Sequence, residues 1–317
     1  MSLPGPVIAV VGPTASGKSS LADRIARRLS SEVVSVDAMQ VYRGMDIGTA
    51  KTPSMDRLVP LRMVDVCDPS DDYSVQLFQR DCRAVVDELL GQGKVPVLCG
   101  GTGLYLNAVI DDMRFPAGEK GAKERSAYEG IAEELGAEAV YRQLQERDPA
   151  SAALIHPNNV RRVVRALEML DEGVSYAEHN KGLHKRAAWY QAFVFGLSMS
   201  RELLYRRIEE RVDLMIEQGL VEEVRGLYES GALCNTTAGQ AIGYKELVGY
   251  LEGSVSLEDA IGSIKVRTRR YAKRQISWFK NDPRVRWVNL TSVSLEEAAD
   301  CILACLGESM EDEHGSL

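Results

Sequence analysis

Apolar residues in the first third of the chain follow two patterns that alternate along it. Short apolar runs of strand length are separated by stretches in which apolar residues recur every three or four positions, as on one face of a helix. The predicted strands are Val7–Val11, Glu32–Val36, Met63–Val66 and Val95–Cys99. The predicted helices are Ser19–Leu29 and Tyr73–Leu90, the second with Ser74 as a possible N-cap. This alternation predicts a parallel sheet with crossover helices.

The pattern changes near Asp111. Residues 118–188 contain no strand-like run and predict helices, including Ser126–Leu135 and Asn158–Leu170. A strand is predicted again at Gln191–Met199, and the elements predicted after it are the helices Arg201–Gln218, Leu220–Glu229 and Leu257–Lys280 and the strand Arg286–Leu290. We therefore predict an α/β core formed by residues 1–115 and 190–307, an inserted all-helical domain of residues 116–189, and a disordered acidic tail, residues 308–317.

A glycine-rich turn follows the first predicted strand and leads into the first predicted helix. In this context a Gly-x-x-x-x-Gly-Lys-Ser pattern is typical of a P-loop, whose backbone N–H groups and helix dipole bind phosphate. Lys18 adds a positive charge, and the hydroxyl of Ser19 can hold Mg²⁺. The residues predicted to bind a diphosphate group are Gly12, Pro13, Thr14, Ala15, Ser16, Gly17, Lys18 and Ser19. The fold class is then that of P-loop NTPase-like α/β proteins, with helices flanking a parallel sheet.

The features of a nucleotide-hydrolysing enzyme are missing. An NTPase needs an acidic residue at the end of a further strand, but Val95–Cys99 ends in the Gly100–Gly103 turn, and no guanine-recognition motif occurs. The first carboxylate at a strand end is Asp37. Because the carboxyl ends of parallel strands open into one crevice, we expect the P-loop, Asp37 and Thr102 to converge. Asp37 could then be a general base, an N-cap or a metal ligand.

The charge of the chain is unevenly distributed. The net charge is −8, yet the segment from Ile261 to Arg286 contains nine basic residues and one acid, Asp282. Such a segment is either an anion-binding stripe or a solvated helix face balanced by nearby acids. The basic residues are Lys265, Arg267, Arg269, Arg270, Lys273, Arg274, Lys280, Arg284 and Arg286.

Composition argues against a membrane protein, a secreted protein and a protein that contains zinc or disulfides. No apolar run approaches the roughly 18 residues of a membrane span, and the chain enters its first strand without room for a signal peptide, so we expect a cytoplasmic protein without a membrane partner. The six cysteines and four histidines have no metal-ligand spacing, which argues against zinc and disulfides. No exposed apolar segment is evident, so we expect a monomer.

Six strings of the sequence closely resemble the bacterial tRNA dimethylallyltransferases, which form the tRNA isopentenyltransferase or IPP transferase family. The longest and most specific is SVDAMQVYRGMDIGTAK, residues 35–51. The others are GPTASGKS from residue 12, GGTGLYLNAV from residue 100, IHPNNVRRVVRALE from residue 155, AIGYKE from residue 241 and AKRQISWF from residue 272. The resemblance extends over nearly the whole chain in order.

The resemblance implies transfer of a dimethylallyl group from dimethylallyl diphosphate to N6 of adenosine 37, next to the anticodon of tRNA, with release of diphosphate. It implies catalytic roles for Asp37, Thr102, Lys18 and Arg211, and Mg²⁺ held at Ser19. It also implies that the anticodon stem-loop contacts the inserted domain and three segments of the chain. The implied tRNA-binding residues are Asp37, Ala38, Met39, Gln40, Thr102, Arg161, Arg162, Val163, Val164, Arg165, Gln240, Ala241, Ile242, Gly243, Tyr244 and Lys245.

Other functions are compatible with parts of the pattern. A P-loop kinase for a small metabolite would bind ATP in the same loop and use Asp37 as its base. An isopentenyltransferase acting on free adenine nucleotide is a nearer alternative, although the inserted domain and the basic helix favour polymeric RNA. An RNA-binding GTPase is disfavoured by the missing guanine motif. Arg211 could equally be a solvated helix arginine paired with a glutamate.

Overall fold

Six parallel strands form one sheet in the order β3–β2–β4–β1–β5–β6, which confirms the predicted parallel sheet. The computed structural model describes residues 3–115, 123–184, 187–234 and 236–314. The strands are β1 Val7–Val11, β2 Val33–Ser35, β3 Leu61–Arg62, β4 Val97–Gly100, β5 Ala192–Ser198 and β6 Arg286–Asn289.

Helices connect and cover these strands. Those that precede the insertion are α1 Lys18–Arg28, α2 Val75–Gly91 and α3 Gly103–Ile110. Those of the insertion are α4 Lys123–Leu135, α5 Ala137–Arg147, α6 Pro149–Ala152, α7 Val160–Asp171 and α8 Tyr176–His184. Those that follow are α9 Arg201–Glu217, α10 Leu220–Glu229, α11 Tyr244–Leu251, α12 Leu257–Lys280 and α13 Leu295–His314. No helix in the described ranges combines the length and the apolar character of a membrane span.

The chain divides into two compact units. The first contains residues 1–110 and 188–317, and the second contains Asp111–Ala187. The limits therefore lie a few residues before those predicted from the sequence, at 115 and 189. The second unit has its own core of apolar side chains from α5, α6 and α7, with Val140, Leu144 and Leu167 fully buried. It is the helical insertion expected from the loss of strand-like runs.

The register of the sheet places three strand ends at one edge. Val11, the last residue of β1, pairs with Gly100, the last residue of β4. Ser35, the last residue of β2, pairs with Cys99 of β4. The three segments that follow these strands therefore begin next to one another, as expected for a parallel sheet whose strand order reverses near its centre.

The two faces of the sheet bury different side chains because successive residues of a strand point to opposite faces. Ala9 and Val11 of β1 belong to the larger core, with α2, α3 and α9–α12. Ile8 and Val10 belong to a second core that includes buried residues of α1 and α13. α13 is held further by Arg28 of α1, which donates a 2.6 Å hydrogen bond to Asp300.

Two predictions about elements need correction. The strand expected at Met63–Val66 is instead β3, Leu61–Arg62, which pairs with Val33–Val34; Met63 and Asp65 have φ values of 61° and 56°, which are not strand values. The tail expected to be disordered from residue 308 is helical as far as His314, because no Gly or Pro interrupts residues 308–314. Residues 315–317 of that tail lie outside the described residues.

Candidate active site

A cavity of about 470 Å³ is lined by the segments that follow β1, β2 and β4 and by side chains of α9 and α12. The sequence-predicted residues that line it include Lys18, Ser19, Asp37, Thr102 and Arg211. The convergence expected from the parallel sheet is therefore present. The cavity brings together a phosphate-binding loop, a carboxylate and several basic side chains.

The P-loop is a tight turn with left-handed backbone conformations and an internal hydrogen bond. Gly17 has a φ of 91° and is the N-cap of α1, and Ala15 has a φ of 62°. The Lys18 ammonium donates a 2.6 Å hydrogen bond to the backbone carbonyl of Pro13. Thr14, Lys18 and Ser19 line the cavity, whereas Gly12, Pro13, Ala15 and Ser16 are buried and can contribute only backbone groups.

Lys18 and Arg211 give the cavity a positive potential at its phosphate-binding end. The pKa of Lys18 is lowered from 10.5 to about 8, mainly by burial; the charge of Arg211 contributes to this lowering, and Cys99 and Asp37 oppose it. Burial, followed by the charge of Arg207, lowers the pKa of Arg211. Arg211 makes no ion pair with any residue the structure describes, so the glutamate-paired alternative from the sequence is not found. Two cations without carboxylate partners are suited to an anionic ligand.

Asp37 follows β2, and its carboxylate accepts hydrogen bonds from the backbone of the turn that it begins. Its Oδ1 accepts a 2.9 Å hydrogen bond from the backbone N–H of Met39, and the backbone of Gln40 also donates to the carboxylate. Burial raises the pKa of Asp37, against the lowering effect of the Met39 N–H and of Lys18. The carboxylate therefore has fixed orientation and increased basicity, and it faces the cavity.

Thr102 is connected to both sides of the cavity. Its hydroxyl oxygen accepts a 3.2 Å hydrogen bond from the backbone N–H of Ala38, next to Asp37. The phenol of Tyr271, on α12, hydrogen-bonds to Thr102 and to Gln275, and burial raises the pKa of Tyr271 to about 12. Tyr271 was not among the residues expected from the sequence, where it is one aromatic residue within a basic helix.

Gln275 is a second residue of α12 that the sequence did not single out. It is 5% exposed. Its Oε1 accepts a 2.8 Å hydrogen bond from the backbone N–H of Thr14, and its Nε2 donates a 3.0 Å hydrogen bond to the backbone carbonyl of Gly101. One side chain of α12 therefore joins the P-loop to the turn that carries Thr102.

The long string from Ser35 to Lys51 forms one wall of the cavity. Within it, Ser35 donates a 2.8 Å hydrogen bond to Gln40, and Gln40 donates a 3.1 Å hydrogen bond to the carbonyl of Thr49. The ammonium of Lys51 is buried, donates to the carbonyl of Tyr42, and pairs with Asp46 and Asp65 at 2.7 and 2.6 Å. The string thus forms a dense network of internal hydrogen bonds and ion pairs.

The predicted tRNA-binding residues of the first unit fall into three groups. Ala38, Met39, Gln40, Gln240, Ala241, Ile242 and Gly243 line the cavity. Lys245 is exposed and donates a 3.0 Å hydrogen bond to Gln240. Tyr244 is fully buried and hydrogen-bonds to Glu223, so its side chain supports the wall and is not available to RNA.

The predicted tRNA-binding residues of the second unit all lie on α7. Arg161 and Arg162 are exposed, and Arg165 lies 3.4 Å from Glu168. Val163 and Val164 are fully buried in the core of this unit. The expectation that these two valines contact tRNA is therefore wrong for their side chains, because a helix of this amphipathic pattern turns them inward.

The basic segment is helical from Leu257 to Lys280 and is divided between paired and unpaired cations. Lys265 pairs with Asp213 at 2.6 Å, Arg267 pairs with the buried Glu246 at 3.0 Å, and Arg269 pairs with Glu209. The exposed basic side chains of α12 for which the described structure shows no carboxylate partner are Arg270, Lys273, Arg274 and Lys280. The balanced-face interpretation therefore holds for the paired cations, and anion binding by the unpaired ones stays a prediction.

The fold and this site place the chain in the class of P-loop α/β proteins whose phosphate loop shares a cavity with a carboxylate. Comparison with known families identifies it further. The model of the family described as IPP transferase matches residues 40–282, and that described as isopentenyl transferase matches residues 5–68. The chain belongs to the IPP transferase family.

Three similar proteins cover most of the chain. A tRNA dimethylallyltransferase of Geobacillus kaustophilus is 48% identical over 287 residues, which are 90% of the chain and 90% of that protein. The structure of the full-length tRNA isopentenylpyrophosphate transferase of Bacillus halodurans is 42% identical with a TM-score of 0.72, and covers 97% of this chain and 99% of its own. The structure of a eukaryotic dimethylallyltransferase acting on tRNA is 30% identical with a TM-score of 0.74, over 90% of this chain and 74% of its own.

Proposed function

We propose that this chain transfers the dimethylallyl group of dimethylallyl diphosphate to N6 of adenosine 37, next to the anticodon of tRNA, and releases diphosphate. The observation that carries the proposal is one cavity that combines the P-loop, Lys18 and Arg211 with the carboxylate of Asp37. Membership of the IPP transferase family and relatives named tRNA dimethylallyltransferase support it over a metabolite kinase.

The basic end of the cavity is suited to the leaving group. In the displacement, the bond between C1 of the dimethylallyl group and the diphosphate oxygen breaks, and its electron pair leaves with the diphosphate. Fixed donors aimed at the position where negative charge develops typically contribute a few kcal/mol each. Lys18, Arg211 and the amides at the start of α1 would provide these donors.

The carboxylate end of the cavity is suited to the acceptor. The amino group at N6 of adenine is a weak nucleophile, so the new N6–C1 bond forms most readily if a base removes a proton from N6. Asp37 faces the cavity, its orientation is fixed by the Met39 N–H, and its raised pKa makes it a stronger base than an ordinary carboxylate. Thr102 is placed beside it, where its hydroxyl can bind the incoming base or the diphosphate.

We propose Mg²⁺ as the metal of this site, with Ser19 as its protein ligand. Within the described ranges, no three His, Cys, Asp or Glu side chains are grouped so that they could hold a metal ion. Ser19 is exposed and lines the cavity next to Lys18, and a hydroxyl oxygen suits Mg²⁺, which commonly takes its other ligands from phosphate and water. When bound, the ion would neutralise part of the diphosphate charge.

The adenosine must leave its stack to reach a cavity of this kind, as in other enzymes that modify bases. A single-stranded loop permits this at low cost. The unpaired cations of α12 and the exposed Arg161 and Arg162 of the second unit are the candidate contacts for the tRNA phosphates. The same residues would give little benefit to an enzyme acting on a free nucleotide.

The proposal requires one copy of the chain, because the cations, the carboxylate and Thr102 all come from the same cavity. We therefore propose a monomer as the active form. We also propose that it acts in the cytoplasm, where its substrate tRNA would be available.

The test uses unmodified tRNA, dimethylallyl diphosphate and Mg²⁺, without ATP, followed by mass analysis of the nucleosides. The expected product is N6-isopentenyladenosine in the anticodon loop. Parallel reactions replace the tRNA by AMP, or the isoprenoid by ATP and a mixture of small metabolites. Modification of AMP at a rate equal to that of tRNA would contradict the choice of acceptor, and ATP turnover without any isopentenyladenosine would contradict the reaction.

A further inference from the structure

Among the described residues, the side chain of Gln275 on α12 joins the two loops that carry the proposed reactive groups, the P-loop and the Gly100–Gly103 turn. In the P-loop, the backbone N–H of Thr14 donates a 2.8 Å hydrogen bond to Oε1 of Gln275. In the Gly100–Gly103 turn, the backbone carbonyl of Gly101 accepts a 3.0 Å hydrogen bond from Nε2 of Gln275. Thr14 and Gly101 lie on the segments that follow two adjacent strands, β1 and β4.

Only a side-chain amide of this length makes this bridge. An amide presents one acceptor oxygen and one donor nitrogen at a fixed separation. The N–H of Thr14 requires the oxygen, and the carbonyl of Gly101 requires the nitrogen, so the orientation of the amide of Gln275 is determined. Because the side chain is 5% exposed, water is a poor replacement for either bond.

Gly101 makes room for the amide. A Cβ atom at this position would lie 2.0 Å from Nε2 of Gln275, a distance that no packing tolerates. The glycine of the turn is therefore required by the close approach of the side chain from α12, and any side chain at residue 101 would displace the bridge.

The bridge joins the two halves of the proposed reaction. The P-loop carries Lys18, which lines the cavity and, under the proposed function, would contact the leaving group. The turn carries Thr102, whose hydroxyl accepts the N–H of Ala38 and so sets the position of the Asp37 turn. Tyr271, one helical turn before Gln275, hydrogen-bonds to both Thr102 and Gln275, so the same helix holds the turn at a second point.

We propose that Gln275 is a positioning residue that sets the separation of the P-loop and the Thr102 turn, and thereby the in-line alignment of diphosphate and acceptor. This inference rests on the proposed function. It predicts that loss of Gln275 lowers the rate of the chemical step much more than it weakens either substrate, since each substrate is bound by groups that remain.

The experiment compares Gln275→Met with wild type by single-turnover transfer from dimethylallyl diphosphate to unmodified tRNA. The expected result is a loss of about 100-fold in the rate of the chemical step, the size associated with misplacing reacting groups by roughly 1 Å. The dissociation constants of tRNA and of dimethylallyl diphosphate are measured separately and should change far less. Gly101→Ala should reproduce the effect from the opposite side of the bridge.

Two control variants separate positioning from general destabilisation. Phe279→Leu, also on α12, alters a buried side chain of the larger core; it should lower the melting temperature and leave the rate per folded molecule near wild type. Gly226→Ala adds a Cβ where nothing lies within 4 Å, and is the control for Gly101→Ala.

The outcomes are distinct. A folded Gln275→Met or Gly101→Ala variant with a wild-type rate would overturn the proposal, as would a rate that falls only in proportion to stability, as expected for Phe279→Leu. If Gln275→Met does not fold, the single-turnover rate of Gly101→Ala tests the proposal in its place. Absence of transfer by the wild-type chain would instead count against the proposed function and not against the bridge.

Discussion

The hydroxyl of Tyr244 donates a 2.5 Å hydrogen bond to the carboxylate of Glu223. The same carboxylate accepts backbone N–H bonds from three consecutive residues, Asp46, Ile47 and Gly48, at 2.9, 2.8 and 3.1 Å. Glu223 of α10 and Tyr244 of α11 thus hold the segment that supplies Gly48, Thr49 and Ala50 to the cavity wall.

This relationship predicts that Gly48 cannot be replaced by alanine without cost. A Cβ at residue 48 would lie 2.5 Å from the Tyr244 ring, and overpacking of this kind typically costs about 1–3 kcal/mol. The free energy of unfolding, measured by urea denaturation, should fall by this amount for Gly48→Ala. Gly226→Ala, in an open helical position, should change it little or raise it. Equal stability of Gly48→Ala and wild type would show that Tyr244 does not pack as described.

Replacement of Asp37 by asparagine should separate its chemical role from its structural one. Asparagine keeps the side-chain oxygen that accepts the Met39 N–H but cannot take a proton. We expect kcat to fall by about 10²–10⁴-fold, the usual contribution of a general base, with little change in the dissociation constant of dimethylallyl diphosphate. Asp37→Ala should additionally disturb the turn and weaken tRNA binding. A kcat for Asp37→Asn within a few-fold of wild type would remove Asp37 as the base.

The pH dependence of the reaction should have two limbs. Burial lowers the pKa of Lys18 to about 8, so kcat/KM for the diphosphate should fall as the pH rises through this value and the ammonium loses its charge. Asp37 has a raised pKa, so activity should also fall at acid pH as its carboxylate is protonated.

A bound diphosphate stabilises the charged form of Lys18, so the alkaline limb of kcat, which reports the complex, should lie at higher pH than that of kcat/KM. Lys18→Arg keeps its charge throughout this range and is the control. If the alkaline limb near pH 8 persists in the arginine variant, another group is responsible for it.

The division of α12 into paired and unpaired cations predicts unequal effects on RNA binding. Replacing Arg270 and Lys273 by glutamine should weaken tRNA binding and reduce the slope of log K against log salt by roughly 1–2, because each cation that contacts a phosphate contributes close to one unit. Replacing Lys265 and Arg269, which pair with Asp213 and Glu209, changes the net charge equally but should alter the slope less. Equal slopes for the two double variants would show that the unpaired surface is not the RNA contact.

Much of the fold could be predicted from the sequence because its signals are local. The strand before the P-loop, the helix after it and the helical insertion all follow from hydrophobic periodicity and capping within short windows. Asp37 and Thr102 could be placed at one site because parallel strands bring their carboxyl ends together. The helix α13 was missed beyond residue 295 because its polar, acidic side chains outweigh the buried stripe of Ala298, Ala299 and Ile302.

The parts of the site that could not be predicted depend on contacts between distant segments. Gln275 meets Thr14 across 261 residues and Gly101 across 174, and no spacing rule connects such positions. Tyr271 and Gln275 line the cavity together with Arg274 of the same helix, and the high charge of the segment gives no sign of this inner face. The position of Arg211 could not be derived from its helical neighbours, which are equally consistent with a solvated arginine; only the family resemblance implied a role for it, and the structure places its side chain in the cavity.

Under the proposed function, the phosphates bound by the P-loop belong to the isoprenoid and leave as diphosphate. The most direct measurement mixes the protein with unmodified tRNA and dimethylallyl diphosphate carrying separate labels in the isoprenoid and in the diphosphate, without ATP, and follows both labels in time. We expect one diphosphate to be released for each dimethylallyl group that appears on N6 of adenosine. Release of diphosphate without transfer, or transfer that requires ATP, would contradict it.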